Sequence, residues 1–337
     1  MTKPGVSIIL CCFNSSERLA QTLKHLALQQ VPAPIDWEII LVDNASTDDT
    51  AAVAVLEWAK HKVSPEKLRL LSEPAPGKNN AFNKGLREAN YEYILTCDDD
   101  NWLGPDYIAR AFAIMDPDPR LGALGGFGVF EPEQPMNAEI ERFKHYFVNG
   151  SQTWAETEHW VYGAGSLYRR SILIALMDAG WWQVTSGRKG KSLICGEDVE
   201  ICFMIYLSGY KIAADDHLKF RHFVPLKRQT IQYVTELAFW LNYSHVLMNS
   251  YYPILNDDKR PIPKIIDHWM FGATKTMLKR FVLSAFEKQH VEKKIAFNGV
   301  YGTWRALLRN RNRIISHHQN TRAVLAKGLF KTGESQR

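Results

Sequence analysis

Four short apolar runs, VSIILCCF (6–13), WEIILVD (37–43), KLRLLSE (67–73) and YEYILTCD (91–98), are rich in Ile, Val and Leu and separated by polar, amphipathic segments. This alternation predicts βαβ units around a parallel sheet. Such an open sheet gathers its ligand at the carboxyl ends of its strands, where the loops converge. Polar residues stand at three of those ends: Asn14 after the first run, Asp43 and Asn44 after the second, and Asp98, Asp99 and Asp100 after the fourth. Three adjacent carboxylates raise one another's pKa unless a cation or hydrogen bonds offset their charge. The aspartates therefore mark a candidate site.

After Pro225 the pattern turns helical. Residues 237–256 contain no Asp, Glu, Lys or Arg, yet Asn242, Ser244, His245, Asn249 and Ser250 make the stretch a poor bilayer span. In 265–286, Ile266, Trp269, Met270, Ala273, Met277, Phe281 and Ala285 recur at helical spacing, with Lys275 and Lys279 elsewhere on the surface, which predicts an amphipathic helix. The tail KTGESQR (331–337) is expected to be disordered.

A chain of 337 residues, 46% hydrophobic and 23% charged, has the balance of a soluble globular protein with one large domain or two. The apolar run at the N-terminus is too brief for a signal peptide, and no small-residue cleavage site follows it. Five cysteines (Cys11, Cys12, Cys97, Cys195, Cys202) show no CxxC spacing and are expected to be reduced core thiols, with the cytoplasm as the compartment. Charge divides the chain: residues 1–224 carry 22 Lys and Arg against 29 Asp and Glu, whereas 225–337 carry 19 against 7. A solvated helical face accounts for the basic excess, and an anionic partner is the sharper reading. Combined with the amphipathic helix, and with the cluster Arg305, Arg309, Arg311 and Arg313, it predicts peripheral attachment to an anionic membrane surface, not nucleic acid. Packing on the catalytic domain or on a second subunit, as a homodimer through the C-terminal helices, is the alternative.

The missing motifs narrow the ligand. CCFNSSERL replaces the GxGxxG that a dinucleotide fold places after its first strand, no phosphate-binding P-loop is present, and DDDNWLGPD lacks the glycine and closing glutamate of an EF-hand loop. A hard cation held by a few carboxylates and completed by water and phosphate oxygens is consistent with what remains, and a nucleoside diphosphate would supply those oxygens.

VSIILCCFN, EIILVDNASTDDT, GKNNAFNKGLREANYEYILTCDDD, GAGSLYRRSIL (163–173) and CGEDVEICFMIYLSGYKI (195–212) resemble, in order and spacing, the successive motifs of family 2 glycosyltransferases. The resemblance implies an α/β chain with the GT-A nucleotide-diphospho-sugar transferase fold, a Rossmann-like, mostly parallel sheet flanked by helices, with a C-terminal helical extension. It places a catalytic domain at 1–224 (donor half about 1–130, acceptor and base half about 131–224); outside the resemblance, the pattern and charge give a basic helical region at 225–331 and a tail at 332–337.

The same resemblance implies roles for individual residues. Phe13 and Asn14 stand in a loop that usually reads Pro-Thr-Tyr-Asn, so the Phe13 ring still lies against the base although the phenol hydroxyl is gone. Asp43 matches the aspartate that hydrogen-bonds the nucleobase, and it also reads as a turn or helix N-cap. The frequent Ala-Arg-Asn becomes Ala81, Phe82 and Asn83, which keeps Asn83 as a donor contact and removes a cation from the diphosphate. Lys78 or Arg169 is the expected replacement. Asp98 and Asp100 match the outer residues of the DxD motif, where the last carboxylate ligates Mn2+ or Mg2+ and the first supports the ion and the ribose. Asp99, in the same donor set, is expected to point to the other side, into solvent. His222 matches a third metal or phosphate ligand and equally suits a structural role. Asp198 matches the general base, kept ionised at the start of a helix whose dipole both it and Glu197 favour. Aromatic residues of 139–160 (Phe143, Tyr146, Phe147, Trp154, Trp160) stand where the family contacts its acceptor, and they also read as core.

The implied activity is metal-dependent, inverting transfer of a sugar from a nucleotide-diphosphate donor, expected to be a UDP-sugar, to a hydroxyl of a glycan or lipid-linked acceptor in cell-surface polysaccharide synthesis. Two rival readings stay open. A nucleotidyltransferase on a related fold would commonly start with a glycine- and arginine-rich loop, which this chain lacks. A catalytically silent sugar-nucleotide or glycan-binding protein would not need Asp198.

Overall fold

The four predicted strands form one half of a larger sheet. The computed structural model describes residues 3–190, 192–286 and 291–330, so the tail expected at 331–337 and the side chain of Ala285 lie outside the described residues. The strands are β1 (Lys3–Cys12), β2 (Trp37–Asp43), β3 (Leu68–Ser72), β4 (Tyr91–Asp98), β5 (Asn101–Leu103), β6 (Leu121–Pro132), β7 (Leu167–Arg169) and β8 (Lys211–Val224). Helices α1 (Leu19–Ala27), α2 (Thr50–Ala59), α3 (Lys78–Glu88), α4 (Tyr107–Met115), α5 (Ala138–Glu141), α6 (Ala155–Glu158), α7 (Arg170–Asp178) and α8 (Glu197–Leu207) alternate with them. Four more close the described chain: α9 (Ile231–Met248), α10 (Tyr252–Leu255), α11 (Ile262–Phe286) and α12 (Val291–Leu325).

Strand order is β3-β2-β1-β4-β7-β6-β8-β5. The first four are parallel, β7 runs antiparallel between β4 and β6, β6 and β8 are parallel, and β5 caps the edge antiparallel to β8. Burial on both faces explains why β1 and β2 read as continuous apolar runs: Val6, Ile8, Ile9, Leu10, Ile39, Ile40, Leu41 and Val42 are all inaccessible. Their register aligns Cys12 with Asp43 and Cys11 with Asp98, so the polar strand ends fall into one row.

Strands β5 to β8 leave weaker traces in the sequence. β6 is glycine-rich because its backbone runs against neighbours: a Cβ on Gly126 would lie 2.6 Å from the Leu218 carbonyl oxygen. β8 carries Lys211, Asp215, Asp216, His217, Lys219, Arg221 and His222, which masks any apolar alternation.

The C-terminal helices share the sheet's core. Val246, Leu247, Tyr251, Ile266, Leu307 and Ile314 belong to the same buried cluster as Ile9, Ile94 and Ile201. The apolar stripe predicted on α11 is largely taken up by this packing: Ile266 is fully buried, and Trp269, Met270 and Ala273 pack against the cluster. The stripe is thus a core face over its first half, the packing alternative, while Phe281 further along it is 65% exposed. No helix among the described residues is long and apolar enough to cross a membrane.

One buried carboxylate joins the layers. Glu200 of α8 accepts the Val184 and Thr185 N–H groups at 2.7 Å each, the Thr185 hydroxyl at 2.5 Å and the Tyr251 hydroxyl at 2.9 Å. Burial pushes its pKa up to about 7. His317 of α12 lies 3.8 Å away. Removing the carboxylate strands two buried backbone donors, so Glu200→Ala is expected to destabilise the protein by at least about 2 kcal/mol. Equilibrium unfolding in guanidinium checks this, and an unchanged midpoint would contradict it.

Candidate active site

A cavity of about 1120 Å³ opens over the row of strand ends. Phe13 and Asn14 after β1, Asn44 after β2, Gly77 and Lys78 at the start of α3, and Asp98 to Asp100 after β4 form one side. Glu197 and Asp198 at the start of α8, His222 of β8, and Arg188 and Arg228 from loops form the other. Asn14 adopts a positive φ of 49°, and its side-chain oxygen accepts the Thr47 N–H at 2.8 Å, which pins the first loop to the second.

Each aspartate of the cluster has its own cation. Asp98 Oδ1 lies 2.9 Å from Lys78 Nζ, Asp99 Oδ2 lies 2.5 Å from Arg18, and Asp100 Oδ2 lies 2.8 Å from Arg228. Burial would raise the Asp100 pKa, but His222, Arg228 and Arg188 pull it below the ordinary carboxylate value. Asp99 moves the other way, raised by burial and by the charge of Asp100.

Asp99 therefore departs from its expected solvated position. It is buried, hydrogen-bonded by the Ser15 hydroxyl as well as Arg18, while its carbonyl accepts the Thr22 hydroxyl at 2.8 Å. Its side chain ties α1 to the end of β4.

Asp198 is held by two backbone donors, the Gly163 N–H on Oδ2 at 2.5 Å and the Val199 N–H on Oδ1 at 2.9 Å. Gly196, at a φ of +97°, turns the chain sharply into α8. Burial and the neighbouring Glu197 push the Asp198 pKa up to about 6, although it stands at a helix start. The carboxylate is still mostly ionised at neutral pH. Glu197 itself reaches Lys78 at 3.3 Å.

Two other expectations change. Arg169 is a structural residue of the sheet: its guanidinium donates to the carbonyls of Leu121, Met115 and Asp118 and sits over the Tyr93 ring, at the end of β4 opposite the aspartates. It cannot replace the missing arginine. Asn83 lines a second, smaller cavity of about 300 Å³ with Trp181 and Trp182, not the larger one. Asp43 accepts the Ser46 N–H at 3.3 Å, as its turn-cap reading has it, and its neighbour Asn44 lines the cavity.

The aromatic segment divides. Tyr146, Phe147 and Trp160 line the cavity, Phe143 is core, and Trp154 packs on Trp160. Arg188, Arg228 and the inner face of α9 (Tyr233, Leu237, Leu241, Met248) were not singled out from the sequence. The glycine-flanked basic stretch SGRKGK (186–191) was the available signal for Arg188.

Carboxylate oxygens at Asp98 and Asp100 with the His222 imidazole make a donor set suited to Mn2+ or Mg2+. His222 Nε2 is 4.0 Å from Asp100 Oδ1, and its buried Nδ1 has no hydrogen-bond partner among the described residues. Among the described residues no group of three or more His, Cys, Asp or Glu side chains is close enough to hold an ion unaided. The residues fit an ion that takes the rest of its shell from water and phosphate, as Mg2+ commonly does.

Poly-beta-1,6-N-acetyl-D-glucosamine synthase of Staphylococcus aureus (strain COL) is 27% identical over 213 residues, covering 62% of this chain and 47% of that protein. The synthase of the same name from Staphylococcus epidermidis is 25% identical over 265 residues, 76% of this chain and 58% of that one. The chain thus spans about half the length of the curated relatives it matches. Mannosyltransferase PcManGT from Pyrobaculum calidifontis, solved in complex with GDP-Man and Mn2+, superposes with a TM-score of 0.55 at 21% identity over 98% of this chain and 88% of that one, a likeness of fold. The model of glycosyl transferase family 2 matches residues 7–177, just over half of the chain and the half that ends β1, β2 and β4 in this cavity, so the chain belongs to that family of glycosyltransferases and has its GT-A fold.

Proposed function

We propose that this glycosyltransferase moves a sugar from a nucleotide-diphosphate donor, UDP-linked, to a hydroxyl of a glycan or lipid-linked acceptor, with inversion at the anomeric carbon. The observation that carries the reading is that Asp198 and the Asp98–Asp100 cluster line one cavity. Phe13 lies against the base and Asn14 fixes its loop. Lys78 and Arg188 meet the diphosphate, the charge that Phe82 cannot supply. Asp98, Asp100 and His222 hold Mn2+ or Mg2+, which when bound neutralises charge growing on the leaving diphosphate.

Asp198 takes the proton of the acceptor hydroxyl as that oxygen bonds the anomeric carbon and the carbon–phosphate oxygen bond breaks. Its backbone donors fix the carboxylate, and a pKa of about 6 is close to the working pH, where a general base is most effective. One base and, among the described residues, no second carboxylate placed as a nucleophile support a single, inverting displacement, since Glu197 is engaged by Lys78. Tyr146, Phe147 and Trp160 with Leu237 and Leu241 of α9 give the acceptor an apolar, aromatic wall. The relatives' names, synthases of a poly-N-acetylglucosamine, support a polysaccharide product. The basic C-terminal third supports peripheral attachment to an anionic membrane surface.

Two experiments test this reading. Calorimetry of UDP binding with and without Mn2+ should show that Asp100→Ala weakens metal-dependent affinity at least about tenfold, as the loss of one charged ligand implies. Equal metal-dependent affinities would remove Asp100 from the site. In donor turnover assays, Asp198→Asn should lower kcat by about a hundred- to ten-thousandfold with little change in donor KM. The parent's kcat/KM should fall as pH drops through about 6, because the protonated carboxyl cannot accept a proton. A profile flat to pH values well below that would assign another base.

A further inference from the structure

Helix α11 is apolar on two opposite sides. Its inner side, through Ile262, Ile265 and Ile266, is buried in the core, and on the flank between the two sides Thr274 accepts the Trp304 indole N–H of α12 at 3.3 Å. On the outer side Phe271, Leu278 and Val282 follow one another at steps of seven and four residues, so they share one line along the helix. They are 71%, 62% and 56% exposed. Cationic Lys264 and Lys275 stand at the same helical phase, Lys279 beside it, and all three are exposed. The only acid in Ile262–Phe286 is Asp267, whose charge is met by Arg311 of α12 at 3.0 Å.

We propose that this outer face of α11 is the surface by which the protein docks on an anionic lipid bilayer, with Phe271, Leu278 and Val282 entering the acyl boundary and Lys264, Lys275 and Lys279 meeting the headgroups. The proposal rests on the peripheral attachment read above and assigns it to the face opposite the stripe that the sequence pattern favoured. Apolar insertion and basic charge reinforce one another at such an interface, and neither demands a spanning helix. Net charge disfavours a second copy as the occupant, because a symmetric contact would bring together two faces that each carry Lys264, Lys275 and Lys279. A bilayer of anionic lipid is complementary to both features.

Cosedimentation of the full chain with vesicles of phosphatidylglycerol mixed equally with phosphatidylcholine, and with phosphatidylcholine alone, tests it. The parent should bind the anionic vesicles at low salt, bind the neutral ones far less, and release as salt rises. Phe271→Ser with Leu278→Ser and Val282→Ser should lower the partition coefficient at least about tenfold, given the apolar area withdrawn. Lys275→Gln with Lys279→Gln should lower anionic binding and flatten its salt dependence. Melting temperature and UDP binding are expected to stay at parental values in both variants, and should the serine variant fail to fold, the glutamine pair and Leu278→Ser alone carry the test. A parent that binds neither vesicle at low salt overturns attachment and face together. A parent that binds while every variant binds equally well leaves attachment standing and overturns this face. A concentration-dependent dimer in sedimentation velocity that the serine variant abolishes, with no vesicle binding, assigns the face to self-association and overturns the proposal.

Discussion

Three carboxylates in succession at the end of β4 are stable only because three cations from separate parts of the chain converge on them. Arg18 comes from the entry to α1, Lys78 from the first turn of α3 and Arg228 from the loop after β8. The charges are partly or wholly removed from water, where an uncompensated carboxylate is costly. Their pairing therefore fixes how the first loop, the third helix and the C-terminal strand approach one another. It also divides labour within the cluster. Asp99 spends its carboxylate on Ser15 and Arg18, inside the fold, which leaves Asp98 and Asp100 to face the cavity with cations that a diphosphate can also meet.

The same economy governs α8. Its first turn presents Asp198 to the cavity, and two residues later Glu200 points away from it into the core. Glu200 gathers the backbone of Val184 and Thr185, the start of the loop that brings Arg188 to the cavity, and reaches Tyr251 and His317 beyond. One short helix thus sets the position of a candidate base on one side and of a candidate phosphate cation on the other. Burial raises both carboxyls, to about 6 and about 7, because neither is opposed by a fully paired cation.

Helices α9 to α12 are part of this arrangement and not an appendage to it. α9 closes the cavity with Tyr233, Leu237 and Leu241, while α12 lies against α9 closely enough that a Cβ on Gly302 would collide with the Phe239 backbone. The family match ends at residue 177, before all of these helices. Tyr146, Phe147 and Trp160 of the cavity wall therefore lie within the family match, and Tyr233, Leu237 and Leu241 lie beyond it.

The sequence by itself determined the parallel half of the sheet and the row of polar strand ends. Buried parallel strands must be continuously apolar, and a polar residue directly after such a strand has few other places to go. Asp98 and Asp100 were legible for the same local reason, whereas Asp198, at the start of α8 and not after a strand, was marked only by its resemblance to the family motif. Only the tertiary structure decided which cations serve them. Arg169 and Arg188 are equally charged in the sequence, but β7 carries the first into a cage of carbonyls at the far end of β4, and the glycine-flanked loop carries the second into the cavity. The two faces of α11 show the same limit: apolar spacing marks both, and which one meets the core depends on Ile262 and Ile266 packing with residues far away in the chain.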